Sequence, residues 1–97
     1  MAIEIIKSVR DFTKEDLKNI FISILSIPEF AHDELKYTFN DIDDNCSRQV
    51  FCDSTGYSLI IFNDYSIKLS SSVYTITTIP TIKIINALIN INAIKLN

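Results

Sequence analysis

Among 97 residues there is one glycine, one histidine, two prolines, two cysteines and no tryptophan. Each scarcity excludes something. A phosphate-cradling loop needs several glycines to bring backbone N–H groups close to its ligand, and Gly56 alone cannot build one. A zinc centre needs about four nitrogen, sulfur or oxygen ligands, usually in closely spaced pairs. Cys46 and Cys52, spaced C-x5-C, and the single His32 do not supply them. A disulfide between the cysteines fails on reach, because six extended steps separate them by roughly 20 Å while bridged Cα atoms lie within about 7 Å. The run "DIDDN" has two aspartates of a calcium loop but neither its glycine nor its bidentate glutamate. Hydrolytic chemistry needs a base beside a nucleophile and an orienting third group, and "FAHDE" around His32 matches no such motif. A pairing of His32 with Cys46 or Cys52 stays open on sequence alone, but the reading is of a chain that is not an enzyme and holds no metal and no cofactor.

Long apolar runs are missing as well. No stretch reaches the ~18 apolar residues that span a bilayer. "MAIEIIKSVRDF" has no basic segment followed by an apolar one, so it does not read as a secretory signal. The expectation is a cytoplasmic protein with reduced thiols and no membrane partner.

What the chain does have is isoleucine, 19 of 97 residues, within a hydrophobic content of 47%. That composition predicts a folded, β-branched core in a single domain spanning residues 1–97. Residues 2–7 suit a short strand. Thr13 and Asp16 form a capping-box pair, followed by Leu17, Ile20, Phe21, Ile24 and Leu25 on one helical face, and the helix is expected to end near Ser26, ahead of Pro28. Pro28 suits the start of a short second helix through "PEFAHDE". "LKYTF" alternates as a strand with Leu35, Tyr37 and Phe39 inward, and "NDIDDN" reads as a turn. "SRQVFC", "YSLIIF", "SIKLS" and "SVYTITTI" continue a meander with "YSLIIF" as a central strand. A last helix from about Thr81 would turn Ile82, Ile85, Leu88 and Ile89 inward, and the tail after it is open between helix and strand. The predicted class is α+β: an N-terminal helix, an antiparallel sheet of about four to five strands, and a C-terminal helix packed on that sheet.

The net charge of −3 conceals an asymmetry. Residues 29–53 carry Glu29, Asp33, Glu34, Asp41, Asp43, Asp44 and Asp53 against only Lys36 and Arg48. Such a cluster either keeps a polar face wet or presents carboxylates to a basic partner. Carboxylates spaced a few ångströms apart resemble a phosphate backbone electrostatically, so a groove built for nucleic acid would attract them. Direct nucleic-acid binding is not expected, since no Lys/Arg stripe or stacking motif is present.

In length, Ile/Asn-rich acidic character and central Asp cluster, across the whole chain and without a shared motif, the sequence resembles the small phage-encoded anti-CRISPR inhibitors of type I-F systems, a DNA-mimicking prophage member above all. The resemblance implies a monomer in a bacterial host cell that binds the multi-subunit crRNA-guided surveillance complex (the Csy complex, or type I-F Cascade) at its basic DNA groove and blocks target recognition. The contacts it would use are Glu29, Asp33, Glu34, Asp41, Asp43, Asp44 and Asp53, with Tyr37 and Tyr57 as rim aromatics. The alternative is an acidic immunity protein or antitoxin that covers the basic cleft of a nuclease toxin.

Overall fold

The computed structural model describes residues 2–26, 35–42, 47–73, 75–78 (backbone only) and 81–97. The chain is α+β. In order come β1 (Ile3–Ile5), a 3-10 turn (Val9–Asp11), α1 (Lys14–Leu25), β2 (Tyr37–Asp41), β3 (Arg48–Cys52), β4 (Ser58–Ile61), β5 (Ile67–Ser70), β6 (Thr75–Thr78), α2 (Ile82–Asn90) and β7 (Ile94–Leu96). Strands β2 to β6 form a five-stranded antiparallel meander in sequence order, while β1 pairs with β7 in a separate two-stranded ribbon. The predicted "YSLIIF" strand is β4, at the centre of the meander.

Helix α1 starts as its sequence dictates. The Thr13 hydroxyl accepts from the Asp16 N–H at 3.0 Å, and the Asp16 carboxylate accepts from the Thr13 N–H at 2.9 Å. The same carboxylate pairs with Lys7 at 3.0 Å, which ties the helix start to the segment behind β1. The helix stops at Ser26, in left-handed geometry (φ 53°). Leu17, Ile20, Phe21 and Ile24 face inward as their spacing requires.

Two sequence expectations need correction. The sequence predicts a turn at Asn40 and Asp41, yet they extend β2, because Asn40 pairs with Gln49 and Asp41 with Arg48 in the ladder. Helix α2 buries Ile84, Ala87 and Leu88, not Ile82, which is 69% exposed. An isoleucine-rich helix carries two overlapping stripes of the right period, so Ile85 and Ile89 still pack against the core while Ile84, Ala87 and Leu88 are buried. The proposed helix at "PEFAHDE" lies outside the described residues.

The end of α2 settles the tail. Asn92 takes left-handed geometry (φ 61°), its N–H donates to Ile89 O at 3.0 Å, and the Ala93 N–H donates to Leu88 O at 2.9 Å. This is a Schellman closure with asparagine in the position glycine usually holds. It turns the chain straight into β7, where Leu96, Lys95 and Ile94 pair with Ile3, Glu4 and Ile5. The tail is therefore a strand, and Glu4 opposite Lys95 is a favourable cross-strand pair.

Register places Val50, Cys52, Leu59, Ile61 and Ile67 on one face of the meander. That face joins Leu17, Ile20 and Phe21 of α1 and Ile84 and Leu88 of α2 in one core cluster. The opposite face carries Gln49, Phe51, Ser58, Ile60 and Lys68, all half-buried, with Thr38 and Asn40 exposed.

Burial alone would push the Asp16 carboxyl up, but the Thr13 amide, Lys7 and the Thr13 hydroxyl together hold it below its ordinary value. A depressed carboxyl stabilises the fold above the unfolded-state pKa and loses that contribution as pH falls through the folded one. Asp16→Asn should therefore cost about 0.5–1 kcal/mol at pH 7, the scale of a helix cap. The difference from wild type should shrink below about pH 4, as checked by urea midpoints at pH 7 and pH 3.

Candidate partner-binding surface

The acidic quarter of the sequence, residues 29–53, contains β2 and β3, and β2 is an edge strand of the meander among the described residues. Register fixes which of its backbone groups are free. The Ile42 N–H donates to Ser47 O at 3.0 Å and the Asp53 N–H to Lys36 O at 3.0 Å. In an antiparallel ladder, residues alternate between groups aimed at the partner and groups aimed away. Lys36, Thr38, Asn40 and Ile42 thus point their amides at β3. Tyr37, Phe39 and Asp41 point theirs outward, with no strand beside them among the described residues.

The two acids of this set that are described stand at opposite ends of the β2–β3 hairpin. Asp41 closes the ladder at one end, opposite Arg48. Asp53 follows the other end and accepts from the Thr38 hydroxyl at 3.1 and 3.3 Å. Five extended steps put them about 16 Å apart along the strand. They do not form one tight patch. Glu29, Asp33, Glu34, Asp43 and Asp44 lie outside the described residues, as do His32 and Cys46. Cys52 is fully buried on the inner face.

Asp41 also has an inward role. Its carboxylate meets Arg48 Nε; the Asp41 side chain is 79% exposed and that of Arg48 only 14%. Arg48 shares the inner face with Val50 and Cys52, and a guanidinium there must find acceptors. Its Nη1 donates to Phe12 O at 2.8 Å, Arg10 O at 3.2 Å and Val9 O at 3.3 Å, the carbonyls that end the 3-10 turn. In the sequence Arg48 is one of two bases in residues 29–53. Its strand alternation, a base in step with Val50 and Cys52, was the signal that it would be a clamp.

Tyr37 is half-buried. Its ring meets Phe21 edge-on at 5.8 Å, stacks toward Phe39 at 6.4 Å, and carries Lys18 Nζ 5.4 Å over its face. Burial raises its phenol pKa, with Cys52 across the ladder adding to the effect. It packs at the rim of the core and presents part of itself to solvent. Tyr57, before β4, is also half-buried.

Asn63 and Asp64 form the turn between β4 and β5. In the structure Tyr65 follows in left-handed geometry (φ 67°), and its hydroxyl donates to Lys7 O at 2.9 Å. No sequence signal marks a tyrosine for that conformation, which bulky residues rarely adopt. No helix among the described residues is long and apolar enough to cross a membrane. No family model, curated protein or solved structure matches the chain.

Replacing Arg48 by methionine keeps the apolar stem and removes every donor, leaving three backbone carbonyls without it. Arg48→Met should cost about 2–3 kcal/mol, the scale for buried charge-assisted hydrogen bonds. Asp41→Asn should cost under about 1 kcal/mol because its carboxylate is solvated. Chemical denaturation of the two variants side by side checks the asymmetry, and equal losses would refute the clamp.

Proposed function

We propose that the chain is a non-catalytic inhibitor that occupies a basic nucleic-acid groove of a protein partner. The partner that fits best is the type I-F crRNA-guided surveillance complex, with the inhibitor standing in for target DNA. The observation that carries the reading is the concentration of seven carboxylates in residues 29–53, the segment of sequence that includes the edge strand β2. Two of them, Asp41 and Asp53, are exposed at its two ends. Spaced carboxylates on a rigid edge attract a groove lined with lysine and arginine by the same counterion release that drives phosphate binding.

Asp41 is a poor choice for charge reversal, because its loss would also disturb Arg48. Asp43, Asp44 and Asp53 changed together to lysine test the surface instead. That variant should keep its melting temperature within a few degrees and bind the complex at least roughly ten-fold more weakly. Wild-type affinity should fall steeply between 50 and 200 mM salt. In cells, the wild-type chain should restore phage infection of a CRISPR-immune host and the triple variant should not. Undiminished inhibition by the variant sinks the DNA-mimic reading. Recovery of a single basic nuclease in a pull-down, in place of an RNA–protein complex, favours an immunity protein.

A further inference from the structure

A groove of about 330 Å3 opens between the β1–β7 ribbon and α2, away from β2. Ile3, Ile5 and Ile94 form its ribbon wall, Ile85 and Leu88 its helix wall, and Tyr65 and Asp64 of the β4–β5 turn close one side. The ribbon register puts Ile3 and Ile5 on one face with Ile94, yet Ile3 and Ile5 stay 54% and 62% exposed. Ile82, one helical turn before Ile85, continues the same apolar flank into solvent. Ile82 and Ile85 are part of the stripe that the sequence predicted to be core. The fold buries Leu88 of that stripe, packs Ile85 and Ile89 against the core and leaves Ile82 in solvent. Contiguous exposed apolar surface of this kind marks a place where something docks.

Two features say what docks there. The first is extent. An occupant that covers Ile82 as well as the groove must be larger than a molecule of the groove's own volume, which favours a protein segment. The second is charge. Asp64 is the only charged residue among the described residues that line the groove. Its Oδ1 accepts from both the N–H and the hydroxyl of Ser66, at 3.0 and 2.5 Å, and the residue is exposed. Those Ser66 bonds also hold the carboxyl below its ordinary value, so it is ionised at neutral pH. Tyr65 fixes the turn beside it, since its N–H donates to Phe62 O at 2.8 Å and its hydroxyl to Lys7 O at 2.9 Å. A bulky residue held in left-handed geometry is strain kept in place next to the groove. A second copy of the chain would bring no cation in its own groove lining to meet Asp64.

We propose that this groove docks a protein segment that inserts large apolar side chains between the ribbon and α2 and sets a lysine or arginine against Asp64. This surface is independent of the acidic edge.

The test uses the full chain with labelled isoleucine methyl groups and two capped leucine-rich pentapeptides, one ending in lysine and one in glutamate. The methyls of Ile3, Ile5 and Ile85 should shift saturably with both peptides. The lysine peptide should bind about two- to five-fold tighter, the range of one exposed ion pair. Asp64→Asn, which keeps an oxygen for the Ser66 turn, should erase that preference while the methyl spectrum stays native. Absence of saturable shifts, equal affinity of the two peptides for the wild type, or a preference that survives in Asp64→Asn would each overturn the proposal. So would shifts of the same methyls driven by protein concentration alone, which would mean a second copy fills the groove.

Discussion

The Arg48 guanidinium is the point on which the two parts of the fold meet. From the first residue of β3 it reaches the carbonyls of Val9, Arg10 and Phe12, so the segment between β1 and α1 is held against the end of the sheet. Tyr65 adds a second bond from the same end of the sheet, to Lys7 O. Val9 and Phe12 are buried beneath these bonds. A charge placed on the inner face of a strand is costly unless it is compensated, and here Nη1 donates to backbone carbonyls of the 3-10 segment while Nε faces the Asp41 carboxylate. With that segment fixed, β1 lies where β7 can pair with it, and the two ends of the described chain come together.

The closure of α2 completes the same arrangement from the other side. Asn92 in left-handed geometry reverses the chain, and Ala93 then accepts on its carbonyl from the amides of both Ile6 and Lys7, at 2.8 and 3.0 Å. The ribbon is short, and a pair of three-residue strands has little stability of its own. It persists because Ile94 is buried in the core and α2 packs behind it.

Asp41 links this internal scaffold to the outer surface. Its carboxylate serves Arg48 and yet stays mostly solvated. The ladder also puts Asp41 and the β4–β5 turn at the same end of the sheet, since Arg48 pairs with Ile61 and Ile61 with Ile67. Asp53 lies at the far end. Asp41 and Asp53, the two described acids of residues 29–53, are thus set apart along the length of the edge strand.

Much of the fold was legible because local rules and global packing agree. The Thr13–Asp16 box, the inward face of α1, the alternation of Tyr37 and Phe39 and the central strand 58–61 follow from hydrogen-bond and burial periods that sequence displays directly. The stripe of α2 was legible in part: Leu88 is buried and Ile85 and Ile89 pack against the core as their spacing predicts, but Ile84 and Ala87 are buried and Ile82 is not, because isoleucines satisfy the helical period on two overlapping faces. The turn at Asn40 and Asp41 was misassigned for a related reason: both residues favour turns, and pairing with Gln49 and Arg48 overrides that preference. As for the candidate surface, sequence alone determined that carboxylates gather in residues 29–53. Only the tertiary structure decided that Asp41 and Asp53 stand at opposite ends of an edge strand, that Arg48 claims part of Asp41, and that an apolar groove opens beside Asp64. Charge composition is a property of the chain, whereas which side chains become neighbours depends on strand register and on which face each element buries.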